Sequence, residues 1–158
     1  MKTELVSPAK LTLSLKITGK REDGYHFIEA EMVSLDLSDR IVISDGDGLQ
    51  IEGLTIGFDV DPDRNNLVTQ AMELINRKAW IHIEKRIPAG AGLGGGSTNA
   101  AAILRWAGYT DLVQASSIGA DVSYCLVGGR ARVSGIGEVV EPLPFVERTF
   151  TLLTPPFG

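Results

Sequence analysis

Pro88-Ala89-Gly90-Ala91-Gly92-Leu93-Gly94-Gly95-Gly96-Ser97-Thr98-Asn99 packs five glycines into seven positions and runs directly into the alanine-rich stretch Ala100–Trp106. Glycines let backbone N–H groups approach a ligand without Cβ obstruction, and a helix start adds unpaired donors and the positive end of a dipole. The segment therefore reads as an anion cradle for a phosphate chain, with Ser97, Thr98 and Asn99 as side-chain donors. A flexible loop in which Ser97 only caps a helix is the bland alternative. No Lys follows the last glycine, so this is not a GxxxxGK[ST] loop, and no parallel βαβ unit of the GxGxxG type is evident around it.

Working outward, Ile81 and Ile83 alternate with His82 and Glu84, giving a short strand that ends at Lys85 and enters the loop through Pro88. Before it, Leu67, Val68, Ala71, Met72 and Ile75 recur at helical spacing, with Asn65 or Asn66 placed to cap them. Leu11, Leu13, Leu15 and Ile17 alternate with Lys10, Thr12, Ser14 and Lys16, which predicts a strand with an apolar face. Arg21-Glu22-Asp23-Gly24 is a turn, and Ile28, Ala30 and Met32 resume the alternation, so a hairpin is expected there. Leu35–Ile43 continues as strand, and Asp45–Gly48 breaks it. After the loop come the helix at 100–106, a shorter helix from the 108–111 stretch to about Ser117, and strands at Val122–Leu126 and Ala131–Val133. The class is α+β.

The chain's 158 residues are one domain's worth. A 44% hydrophobic and 22% charged composition excludes a disordered chain. Fifteen Lys plus Arg against twenty Asp plus Glu give −5 with no basic run, which argues against nucleic acid as a partner. No apolar run approaches the roughly 20 residues of a membrane span, and the opening Met1-Lys2-Thr3-Glu4 lacks a signal peptide's apolar stretch, so no membrane partner and a cytoplasmic setting are expected. Cys125 is the one cysteine, and His26 lies far from His82 in sequence, so no metal-ligand pattern emerges.

The loop Pro88–Asn99 resembles the phosphate-binding motif of the GHMP kinases. Ser7-Pro8-Ala9-Lys10-Leu11, Gly19–His26, Gly119-Ala120-Asp121-Val122 and Gly135-Ile136-Gly137-Glu138 are similar, in the same order, to the branch of that superfamily that phosphorylates a cytidine diphosphate-linked polyol in non-mevalonate isoprenoid synthesis. The resemblance runs from about residue 7 to Gly158, with the intervals 48–60, 76–80 and 106–116 shortened. It implies the ribosomal protein S5 domain 2-like α+β fold of GHMP kinase N-terminal domains, with residues 1–158 as the ATP-binding domain and a C-terminal domain absent. It also implies ATP and Mg²⁺ and a small-molecule substrate, and it leaves a homodimer open.

By the same resemblance Asp121 is the catalytic base, and Lys10 pairs with it and contacts the substrate. On residue type alone, Asp121 is equally a turn cap and Lys10 a solvated strand residue. An Asp–Lys pair would orient the acceptor hydroxyl more than deprotonate it. Tyr25 and His26 are assigned to the cytidine end, where an aromatic face can stack on a pyrimidine and a ring nitrogen can read its edge; a hairpin-end aromatic and a surface His are the plainer reading. Lys85, Pro88, Gly90, Gly92, Leu93, Gly94, Gly95, Gly96, Ser97, Thr98 and Asn65 form the implied nucleotide site. Two implied substrate positions depart from the family: Thr12 stands where an Asn is usual and Met32 where an aromatic is usual. A GHMP kinase of another small alcohol, or a shortened non-catalytic homologue that binds nucleotide or a partner, are the competing readings.

Overall fold

The computed structural model describes residues 2–53 and 66–153. Two long strands dominate it, β1 (Thr3–Lys20) and β2 (His26–Ser44), paired antiparallel along their whole length. The predicted turn closes the hairpin: the Arg21 amide donates to the Tyr25 carbonyl at 2.7 Å and Gly24 adopts φ +93°, a conformation that favours glycine. β2 is long enough to carry two further partners end to end on its other side. β4 (Trp80–Lys85) pairs with residues 40–44, and β5 (Arg130–Gly135) with residues 28–33. β3 (Gly48–Gly53) and β6 (Val139–Pro142) complete the six-stranded sheet.

β3 runs parallel to β4 with α1 (Leu67–Leu74) between them, so a βαβ unit does precede the glycine loop. The sequence concealed it because Gly48–Gly53 carries too few apolar residues to announce a strand. The Asn66 side chain caps α1, accepting from the Val68 amide at 2.9 Å.

The helices pack together and onto the sheet. α2 (Gly95–Trp106) is the centre of that layer: residues 98 to 104 are all buried, and the small side chains of Ala100–Ala102 let α1, β1 and α4 (Val122–Val127) approach it. α3 (Leu112–Ile118) is capped by Asp111, which accepts from the Gln114 amide at 3.0 Å. The core joins Ala30, Met32, Ile41, Ile43, Ile81, Ile83, Ala131 and Val133 of the sheet to Val68, Ile103, Leu104, Val122 and Tyr124 of the helices.

Two expectations are corrected here. Val122–Leu126 is helix α4, not a strand. Five consecutive buried residues suit either element, and contact with α2 on one side decides for helix over the β-leaning Val122 and Tyr124. On β1 the expected apolar face is not buried: Leu11 and Leu13 are half-buried and Leu15 and Ile17 exposed, while Lys10 is buried. Register shifts at Pro8/Lys10, Thr12/Ser14 and Ile17/Gly19 break the strict alternation that the sequence suggested.

Asp39, fully buried on β2, ties the end of β4 to the sheet. Its carboxylate pairs with the Lys85 ammonium and accepts from the amides of Arg86 at 2.7 Å and Ile87 at 2.8 Å. Asp39→Ala would leave the buried Lys85 charge and two amides without their acceptor, and is expected to cost about 3–5 kcal/mol in a urea denaturation. A loss below about 1 kcal/mol would show that the carboxylate is dispensable.

Candidate active site

The glycine loop is held from below by β1. The Lys10 amide donates to the Leu93 carbonyl at 2.9 Å, and the Leu93 side chain is buried with Ala9 and Ile87 in a small second cluster. Gly90, Gly92 and Gly94 all have φ near +70°, so the arc demands residues without a Cβ. Gly94 is the N-cap of α2 and makes no side-chain cap bond, while the Thr98 amide closes the first turn onto the Gly94 carbonyl at 2.8 Å. The amides of Gly95, Gly96 and Ser97 therefore precede the first intrahelical bond and point out of the helix end.

The loop curves around a cavity of about 230 Å³. Lys85, Pro88, Gly90, Gly92, Leu93, Gly94, Gly95 and Gly96 line it together, so most of the implied nucleotide site is assembled in one place. Ile51, Val68 and Ile83 supply an apolar wall, and Asn66 a polar edge. Asn65 lies outside the described residues. Lys85 is at the α2 end of the cavity: a Cβ on Gly95 would lie 2.9 Å from its Nζ. Sequence reasoning missed its partner Asp39, whose only signal was a carboxylate inside an apolar strand.

Thr98 is corrected as a side-chain donor. Thr98 is 2% exposed, its hydroxyl set against the Cys125 thiol and its amide spent on the first helical turn. Asn99 is buried and its Oδ1 accepts from the Ser7 hydroxyl at 2.8 Å, fastening α2 to β1, while the residue also lines the cavity beside the glycines. Ser97 is half-buried at the helix start.

Lys10 and Asp121 form the pair that the resemblance implied. Lys10 Nζ lies 2.9 Å from Asp121 Oδ2, with side-chain exposures of 11% and 29%. The same ammonium donates to the Thr12 hydroxyl at 3.2 Å. The Lys10 stem runs under the loop, for a Cβ on Gly94 would fall 2.6 Å from its Cγ. One side chain thus spans from the glycine arc to the carboxylate. Asp121 opens α4 but makes no cap bond to it, which leaves the carboxylate directed at Lys10.

Met32 is corrected as a substrate-pocket residue: it is 3% exposed and part of the main core between its strand partners Thr12 and Ala131. Tyr25 and His26 are exposed at the hairpin tip, away from the Lys10–Ser34 pairing in mid-strand. Arg21 lies over the Tyr25 ring, 5.5 Å from its centre, a cation on an aromatic face that the sequence did not flag. Among the described residues one cluster has metal-ligand composition, Glu52, His82 and Glu84, their ligand atoms within 4.8 Å of one another. Glu84, however, is already paired with Arg40 and Arg86.

With this geometry in place, the class follows. Residues 66–129 match the family model of the GHMP kinases N terminal domain, and the chain carries that domain, with its α+β fold. Within that class, it is 40% identical over 152 residues to the 4-diphosphocytidyl-2-C-methyl-D-erythritol kinase of Paracoccus denitrificans, covering 95% of this chain and 55% of that protein. It is 39% identical over 179 residues to the enzyme of the same name from Shouchella clausii, covering 100% and 59%. A solved 4-(cytidine 5'-diphospho)-2C-methyl-D-erythritol kinase superposes with a TM-score of 0.70 at 36% identity, over 89% of this chain and 55% of that one. A D-glycero-D-manno-heptose 1-phosphate kinase from Bacteroides thetaiotaomicron, at 16% identity and a TM-score of 0.63, shares the fold. The chain spans a little over half the length of the curated relatives it matches. Among the described residues no helix is long and apolar enough to cross a membrane.

Gly94→Ala should cost about 1–2 kcal/mol from its left-handed conformation and push the Lys10 stem off its path. Thermal melts and calorimetry with a nucleoside triphosphate are expected to show both lower stability and weaker binding; parental values for both would dissociate Gly94 from Lys10. A second expectation concerns alkali. Burial pushes the Cys125 thiol up to about 12 from an ordinary 9.0 and the Tyr124 phenol up to about 12 from 10.0. Folding therefore favours both protonated forms, a contribution complete below pH 9 and lost as the pH climbs toward 12. Denaturation midpoints should fall steeply between pH 9 and 11; a flat profile would contradict the burial of these groups.

Proposed function

We propose that this chain is the nucleotide-binding half of a kinase that transfers the γ-phosphoryl group of ATP to the 2-hydroxyl of 4-diphosphocytidyl-2-C-methyl-D-erythritol, in the cytoplasm. The observation that carries the reading is the Lys10–Asp121 contact at 2.9 Å with the Lys10 stem lying under Gly94. It supports the reading because the stem that passes under the arc ends in an ammonium beside a carboxylate, the two groups that an acceptor alcohol would need near a phosphate chain. The names of the 40% and 39% identical relatives and of the superposed structure supply the substrate.

The amides at 95–97 and the α2 dipole would hold the phosphates, and the apolar wall of Ile51, Val68 and Ile83 would take the base. Asp121 would orient the acceptor hydroxyl and receive its proton as the new O–P bond forms and the β–γ bridge breaks to release ADP. Lys10 would hold Asp121 and stabilise charge on the transferred group. The Asp121 carboxylate and the Ser97 hydroxyl are the oxygen ligands that would suit Mg²⁺, and the ion would supply charge neutralisation on the phosphates. Tyr25 and His26 would hold the cytidine end. A different acceptor alcohol is the second reading, favoured by Thr12, whose hydroxyl is engaged by Lys10, and by Met32 in the core.

In a coupled assay of ADP release, turnover should require both the cytidyl substrate and Mg²⁺. Asp121→Asn should lower kcat by about 10²-fold or more while ATP affinity stays within a few fold. Unchanged turnover removes Asp121 from the chemistry, and turnover that ignores the cytidyl substrate in favour of another alcohol selects the second reading.

A further inference from the structure

The turn Gly135–Glu138 carries part of the resemblance yet has no role in the chemistry above. It joins β5 to β6 and lies beside the hairpin, where Gly135 pairs with Ile28. Its shape is fixed from within. The Glu138 carboxylate folds back and accepts from the Ile136 amide at 2.6 Å, and a Cβ on Gly135, φ +71°, would sit 2.5 Å from its oxygens. The Gly137 amide donates to the Ser134 carbonyl at 3.2 Å.

The closed turn presses on the segment that carries Asp121. Gly137 is buried at φ +119°, and a Cβ there would lie 2.5 Å from the Ala120 carbonyl oxygen. Ala120 is the residue before Asp121, in a tight turn closed by the Val122 amide on the Gly119 carbonyl at 2.9 Å. Since Asp121 has no capping bond to its own helix, the direction of its carboxylate depends on where the backbone of residues 119–121 is held. The turn holds it.

We propose that Gly137 and Glu138 are positioning residues for the reaction: Glu138 sets the turn, Gly137 bears on Ala120, and together they keep Asp121 in contact with Lys10. The inference rests on the kinase reading for its consequence in turnover, and on the contacts alone for its structural part. Glu138 also faces the Arg21 charge at the hairpin tip.

The test compares Glu138→Ala, Glu138→Gln and Gly137→Ala in the full chain, each checked for folding by circular dichroism, with crystal structures of those that fold. Glu138→Ala is expected to lower kcat about tenfold or more with the ATP KM within about threefold, since an ångström of misplacement is that costly. Glu138→Gln, which keeps an acceptor for the Ile136 amide, should restore most of it. In an Asp121→Asn background, Glu138→Ala should add no further loss, and the crystal structure of the single Glu138→Ala variant should show the Lys10–Asp121 separation beyond about 4 Å. A Glu138→Ala crystal structure that keeps the 2.9 Å contact overturns the proposal, as does kcat within twofold of the parent or an equal loss in the Asp121→Asn background. If the parent chain releases no ADP, the kinase reading fails and the crystallographic distance still decides the positioning role.

Discussion

The site depends on the passage of Lys10 beneath Gly94. One residue does three separate things: its amide binds the Leu93 carbonyl, its stem fills the space that any Cβ at 94 would need, and its ammonium meets Asp121. The glycine at 94 is therefore required twice, for its left-handed backbone and for the room it leaves. A charged side chain accepts such burial only when its head group finds partners, and Asp121 and Thr12 provide them. Loop, strand and helix α4 are fixed relative to one another through this one side chain.

A second buried pair does similar work at the other end of the loop. Lys85 and Asp39 are both out of solvent, and the two amides on the remaining Asp39 oxygen make the arrangement a turn anchor as well as an ion pair. The loop is thus pinned where it leaves β4 and again where α2 begins.

What could be read from the sequence was what short-range physics controls. The hairpin turn at 21–24, the capping of α1 by one of the two asparagines before it, here Asn66, and the glycine arc all rest on contacts within a few residues, and each stands as expected. Alternation on β1 misled because long-range packing decides it: three register shifts and the limited span of the helices leave Leu15 and Ile17 outside and draw Lys10 in. Val122–Leu126 misled for a related reason, since a fully buried segment has no amphipathic period to read. Of the site, the cavity-lining glycines and the Lys10–Asp121 pair were legible. Asp39, Arg21 and the bearing of Gly137 on Ala120 were not, because each is a partnership across the fold with no local signature.

Helix α2 is buried along seven consecutive residues, from Thr98 to Leu104, behind the end proposed to bind phosphate. A helix clasped on every side cannot tilt or rotate to meet its ligand. Its outward-pointing amides are aimed in advance, as in a solvent frozen with its dipoles already aligned, and an arriving phosphate has to reorganise almost nothing around it. The alanines at 100–102, unremarkable as chemistry, make that stiffness by letting the neighbours come close.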